Sequence, residues 1–363
     1  MYSFEPTEEQ RMLIEAVERY ARNDLRVAAH DADETGELPP NLIEKGWEMG
    51  VLQASIPEAY GGFGERSAVT GVLAAEAMGW GDLAGALAVM LPATYAMPIL
   101  LGGTEEQKTS LLPPVIEAEW KPFTAAFIEP TFDFYPGDMQ TTAKVNGDGF
   151  VVNGEKAYVP FADKAQSFLI YAALDGQTQA FIIPVGVEGL IVGEREKLMG
   201  LGGVPSFRMK FEDVRLPLDS KLGGEDGFDM GPVLASAQVA IAALAVGVSK
   251  AALDYALPYA KEREVWGLPI AQKQSIAFML AEMAAEIEAN RLLVWKAAWL
   301  LDTEKDASKE AYLAFTGATD MAMMVTDRAV QVLGGHGYIR EHPVELWMRN
   351  GRGFSTFTGL TMV

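Results

Sequence analysis

The chain changes its hydrophobic period twice. Up to about residue 120, apolar positions recur three and four apart, as on one face of a helix. Leu13, Val17 and Tyr20 form one such stripe. Thr7-Glu-Glu-Gln10 before it reads as a capping box, the Thr7 hydroxyl accepting the bare N–H of Gln10. Pro39-Pro40 predicts a helix start, Pro57-Glu-Ala-Tyr-Gly-Gly62 a loop, and Gly103-Thr104-Glu-Glu-Gln107 a second capping box. From about Phe123 the period becomes that of strands. Gly149–Gly154, Ser167–Ala172, Ala180–Ile183 and Phe207–Phe211 are short and rich in β-branched and aromatic residues. Asn146-Gly and Asn153-Gly predict tight hairpin turns. After Gly224-Glu-Asp-Gly227 the helical period returns. It predicts a long helix from about Met230 to Glu264, with Pro232 in its first turn and a bend at Pro258. A second should start near Ile270, and a third should run from about Ala307 to Leu333, where Gly334-Gly335 stops it. The pattern predicts an α+β chain of three domains: helical over 1–122, antiparallel β over 123–228 and helical over 229–363.

Composition narrows the chemistry. With no cysteine, disulfides, cysteine-ligated zinc and thiol catalysis are excluded, and only His30, His336 and His342 remain for imidazole chemistry, so no metal site is expected. A net charge of −21 argues against nucleic acid and acidic membrane surfaces as partners. The apolar run Val239–Val248 is too short to span a bilayer, and the first residues show neither the basic nor the apolar part of a secretion signal. A reducing, cytoplasmic compartment is the expectation.

Gln331-Val-Leu-Gly-Gly335-His-Gly-Tyr338, followed by Pro343-Val-Glu-Leu346 and Arg349, closely resembles the C-terminal flavin-contacting region of the acyl-CoA dehydrogenases. Gly103–Lys108, Asn153-Gly-Glu-Lys156 and Phe211-Glu-Asp-Val-Arg-Leu-Pro217 extend the resemblance over essentially the whole chain. It implies an N-terminal helical domain, a central antiparallel β domain and a C-terminal four-helix-bundle-type domain. It also implies FAD as cofactor, an acyl-CoA thioester as substrate and an electron-transfer flavoprotein as acceptor.

The chain departs from the family where the reaction takes place. The family's Tyr-Glu-Gly-Thr segment, whose glutamate removes the α-proton, is matched by Phe357-Thr358-Gly359-Leu360, and no Asp or Glu follows Glu345. A threonine hydroxyl has far too high a pKa to act as that base. The alternative family position on the long helix is also lost, since Gly231–Leu253 contains no carboxylate and the family's Thr-Arg pair appears as Ala237-Gln238. The flavin loop is matched by Ile128-Glu-Pro-Thr-Phe-Asp-Phe-Tyr135, which lacks both glycines and carries Phe134 where a serine faces the phosphates. In the stacking segment Tyr158 could still stack on a flavin, but Pro160 offers neither an N–H nor a hydroxyl.

The residues that the family lends to a neighbouring subunit's FAD are better kept. Arg263 matches the arginine that reaches the partner's phosphates, Gln274 matches a further position near FAD, and Gln331, Gly334 and Gly335 match the segment crossing the interface. Taken alone, Arg263 could instead pair with Glu262 or Glu264. The resemblance and the losses together predict a base-less subunit that completes the flavin site of a homologous catalytic chain. Two alternatives stand beside it: a homo-oligomeric flavoenzyme with altered chemistry, using Tyr158 or Glu129 as acid or base, and a non-enzymatic protein that keeps the fold as a binding or scaffolding surface.

Overall fold

A computed structural model of the chain describes residues 6–363. The N-terminal helices are α1 (Glu8–Tyr20), α2 (Arg26–Thr35), α3 (Pro40–Trp47), α4 (Val51–Ala54), α5 (Ala68–Gly81), α6 (Leu83–Met90), α7 (Ala93–Gly102) and α8 (Glu105–Leu111). Both capping boxes form. Thr7 Oγ1 accepts from Gln10 N at 3.2 Å and Thr104 Oγ1 from Gln107 N at 3.2 Å, and each glutamine side chain accepts the cap residue's own N–H. One turn of π-helix over Ala21–Leu25 joins α1 to α2, which the sequence pattern does not foretell.

Strands β1 (Phe123–Ala126), β2 (Thr142–Asn146), β3 (Gly149–Pro160), β4 (Ser167–Leu174), β5 (Gln177–Pro184), β6 (Leu190–Arg195) and β7 (Ser206–Pro217) make one sheet. Its order is β1-β4-β2-β3-β7-β6, and β5 also pairs with β4. The pairing is mainly antiparallel, but β1 and β2 meet β4 in parallel. Asn146-Gly forms the expected turn, with Asn146 opposite Gly149. Asn153-Gly does not. It lies inside β3, where the register against β7 shifts between Val152 and Gly154, so the pair makes a bulge. Gly154 sits at φ +145°, and a Cβ there would approach Thr141 Cα to 2.6 Å.

The C-terminal helices are α9 (Met230–Glu262), α10 (Gln274–Asp302), α11 (Ser308–Leu333), α12 (Gly335–Tyr338) and α13 (Val344–Gly353). Between α9 and α10 a two-strand hairpin, β8 (Glu264–Val265) and β9 (Leu268–Pro269), turns through Trp266 and Gly267, both at positive φ. α9 is the only single helix among the described residues long and apolar enough to cross a membrane, and 78% of its most apolar stretch is buried inside the protein. It is therefore the core of the bundle. Small residues let α5 and α9 touch backbone to backbone: a Cβ on Gly79 would lie 2.7 Å from Leu244 O, and one on Gly247 would collide with Glu76 O.

Glu129 anchors the β domain. It is 2% exposed, pairs with the fully buried Lys156 at 3.0 Å and accepts the N–H groups of Gln140 and Thr141, each at 2.7 Å. Lys156 Nζ also donates to Phe127 O at 3.0 Å. Burial alone would raise Glu129, but the Lys156 charge and the backbone donors outweigh it and hold the carboxyl below its usual range. A carboxylate that is buried, ion-paired and held by two backbone donors is structural. Glu129→Gln should cost about 3–5 kcal/mol, because it leaves Lys156 buried and unpaired, and Glu129→Gln with Lys156→Met should recover most of that loss. Because the folded Glu129 pKa is depressed, its contribution is present at neutral pH and is lost as pH falls through the carboxylate range. Denaturant midpoints of the three proteins at neutral and acid pH measure both effects.

Candidate functional site

α9 has 33 residues, so at 1.5 Å per residue its two ends stand about 50 Å apart. The candidate residues divide between those ends. At the N-terminal end, Gly231 and Pro232 of α9 share a cleft of about 840 Å³ with Asp302 at the end of α10 and Ser308 at the start of α11. The segment after Phe357 runs here. Thr361 Oγ1 donates to Val233 O at 3.1 Å, and Val363 O accepts from Ser236 and, at 3.1 Å, from Arg66. Leu360, Thr361, Met362 and Val363 are all buried.

Thr358, at the start of this segment, is half-buried, and its N–H donates to Ser355 O at 3.2 Å. The next residue, Gly359, has φ +79° and lies so close to the Phe127 ring that no side chain fits. Phe127 stacks edge-on against Phe134 with centroids 5.5 Å apart and against Tyr171 at 5.0 Å; Tyr171 in turn lies 6.3 Å from Phe228. Burial pushes the Tyr171 hydroxyl well above the ordinary phenol range, and it has no hydrogen-bond partner among the described residues. A row of aromatic rings thus runs beside Thr358. Of the matched flavin loop, Ile128 spends its carbonyl on Ala157 N–H at 2.9 Å, Thr131 N–H turns back to Glu129 O at 2.8 Å, and Phe132 is fully exposed. Tyr158 is half-buried at φ +54°, and Pro160 is buried. These residues do not fit FAD: the glycines that would let a backbone approach a phosphate are absent, and no hydroxyl or N–H stands at the proline. Met90 of α6, buried, borders a small cavity beside Met362.

The C-terminal end of α9 presents a different surface. Arg263 follows its last turn, with its N–H on Tyr259 O and its carbonyl accepting from Ile270 N, both at 2.8 Å. Its side chain is exposed and forms no ion pair with Glu262, Glu264 or any other described residue. Ile270 leads into α10, whose first residue, Gln274, is exposed. No side chain caps this helix, so its first N–H groups and the positive end of its dipole stay available to an anion. α11 ends alongside: Tyr259 Oη donates to Leu333 O at 3.5 Å. Gln331, Gly334 and Gly335 are exposed, and a Cβ on either glycine would meet nothing within 4 Å. Arg263, Gln274, Gln331, Gly334 and Gly335 therefore gather at one end of the bundle, whereas Tyr158 lies in the β domain. A guanidinium, helix N–H groups and bare glycine backbone are a donor set suited to the phosphates of a dinucleotide.

Sequence reasoning missed two features. Arg26 lies between the indoles of Trp80 and Trp347, 3.3 and 4.8 Å from their centroids. His336 and His342 stack on each other against Tyr259 and Tyr255. The spacing of the two tyrosines, four apart on one helix, was the only signal available for the second.

The chain matches the acyl-CoA dehydrogenase N-terminal domain over residues 7–119, the middle domain over 125–214 and the C-terminal domain over 229–363. It is 37% identical to a probable acyl-CoA dehydrogenase, YngJ, of Bacillus subtilis, covering 96% of this chain and 94% of that one. It is 34% identical to subunit CarC of the caffeyl-CoA reductase-Etf complex of Acetobacterium woodii, covering 98% and 96%. Its fold superposes on butyryl-CoA dehydrogenase from Megasphaera elsdenii with a TM-score of 0.89 and 31% identity, covering 99% and 97%. Three matched domains in family order and relatives aligned end to end place this chain in the acyl-CoA dehydrogenase family of oxidoreductases.

Proposed function

We propose that this chain is a base-less subunit of an acyl-CoA dehydrogenase, completing the flavin site of a homologous partner that carries the catalytic glutamate. The observation that carries the reading is the contrast between the two ends of α9. At one end Thr358 replaces the base beside a row of aromatic rings, and at the other Arg263 and the Gly334-Gly335 backbone stand exposed. In such an assembly bound FAD supplies the electron acceptor for α,β-desaturation of an acyl-CoA. This chain's own part is to bind and orient. Arg263 offers paired N–H donors to the partner's phosphates, and Gln274 and the α10 N-terminus add further donors. Gln331, Gly334 and Gly335 form the flat wall that closes over the cofactor. The Etf complex that includes the CarC relative supports an electron-transfer flavoprotein as the acceptor here.

The chain expressed alone should purify with well under one flavin per chain, read from the visible spectrum; a stoichiometric flavin would overturn the reading. Thr358→Glu in the isolated chain should give no acyl-CoA turnover, because a base acts only when acceptor and α-carbon are held in attack geometry and the residues that would hold the acceptor are absent. Turnover by this single variant would show that the site at that end is intact. The decisive measurement is Arg263→Ala in the complex with a co-expressed partner. The isolated chain should keep its melting temperature, since Arg263 forms no ion pair. In the complex FAD affinity should fall roughly ten- to hundredfold, the value of one charge-assisted phosphate contact, and added FAD should restore part of the activity. Unchanged flavin content and activity would favour a scaffolding role.

A further inference from the structure

Two of the chain's three histidines stack on each other beside the C-terminal end of α9. His336 follows directly on Gly335, and His342 leads into α13. Their rings stack with centroids 5.3 Å apart and planes 18° from parallel. Each Nδ1 is tied to a phenol on α9, His336 to Tyr259 Oη and His342 to Tyr255 Oη, both at 2.8 Å. Tyr255 and Tyr259 lie four apart, on one face of the helix, so both Nδ1 edges face α9 and both Nε2 edges face away from it. Both imidazoles are half-buried, and neither Nε2 is bonded to a described residue.

The charged groups nearby are committed to other partners. On α2 and α13, Asp33, Glu34 and Glu345 are already engaged: Arg340 pairs with Asp33 at 3.0 Å and with Glu34, and Arg349 pairs with Asp33 and Glu345, both at 2.8 Å. His30 approaches Glu345 at 3.8 Å. From α9 the pair is faced by the neutral phenols, with Lys261, Glu262 and Arg263 beyond them at the helix end. Glu341 is exposed between the two histidines in sequence. The rings are therefore held by neutral partners, with no carboxylate bonded to either. One proton gives an imidazolium stacked on a neutral ring; a second sets like charges face to face unless an anion bridges them.

We propose that His336 and His342 form a protonation-dependent phosphate contact on the surface that Arg263 anchors, so that binding of a dinucleotide's phosphates there is coupled to proton uptake. The inference rests on the reading of this end of α9 as a surface for a partner's cofactor, and it adds to that reading a pH dependence carried by residues of this chain. Neutral histidines would give little attraction. Protonated, their Nε2–H groups become charge-assisted donors beside the guanidinium, and the bound phosphate in turn stabilises the charge on the rings.

The test uses the isolated full chain and ADP, which carries the diphosphate of the cofactor. Three histidines give three resonances in a ¹³C-histidine NMR spectrum, assigned by single His→Gln variants. At about pH 6 ADP should shift the His336 and His342 signals and leave His30 in place, and its affinity should fall ~5-fold or more by about pH 8. His336→Gln should flatten that pH dependence and leave the residual affinity, whereas Arg263→Ala should weaken binding at both pH values and keep the slope. His342→Gln serves as the second variant if His336→Gln lowers the melting temperature. Equal ADP affinity at both pH values, shifts confined to His30, or no binding at either pH would overturn the proposal. Binding that depends on Arg263 with no histidine response would overturn it alone, leaving the role of Arg263 in the complex intact.

Discussion

The rest of the structure depends on the contact between α5 and α9. Gly79 and Gly247 bring the two backbones so close that a methyl group at either position would strike a carbonyl of the other helix. That approach buries α9 along most of its length, and the run Val239–Val248 packs against helices on every side. A helix buried this way cannot drift along its axis without opening the core, where interiors pack at crystal-like density. Its two ends are consequently fixed points about 50 Å apart. One positions Val233 and Ser236 against the segment after Thr358, and the other positions Tyr255, Tyr259 and Arg263 against the end of α11. Two surfaces this far apart share a scaffold but no side chains, so one can lose its chemistry without disturbing the other.

The end nearer Thr358 is filled by aromatic side chains, which take up volume in and around the loop after β1. Phe134 packs on Phe127, and Phe127 packs on Gly359, whose left-handed backbone is tolerable only without a side chain. Aromatic burial contributes apolar area together with favourable edge-on geometry, so the rearranged loop is stable in its own right. Glu129 survives in that loop because it neutralises a buried lysine and satisfies two backbone donors.

In the proposed role, the opposite end would meet phosphate on a protein carrying a net charge of −21. The C-termini of α9 and α11 both point there, and the negative ends of their dipoles work against an anion. Arg263, free of ion pairs, and the uncapped N-terminus of α10 supply the opposing charge.

Much of this was legible in the chain itself. Both capping boxes, the two changes of hydrophobic period and the stop at Gly334 depend on residues a few positions apart, and local geometry decides them. That Thr358 and Gly359 follow Phe357 is read directly from the chain. The bulge at Asn153-Gly154 was misread as a turn because an Asn-Gly pair suits either, and only the register between β3 and β7 chooses. What the tertiary structure alone decided are contacts between distant segments: Val363 on Arg66, 297 residues away, and His336 on Tyr259, 77 away. The same holds for the gathering of Arg263, Gln274 and Gly334 at one end of the bundle. Periodicity says which face of a helix is apolar, but not which helix ends lie side by side. That is settled by how small residues such as Gly79 and Gly247 let the helices pack.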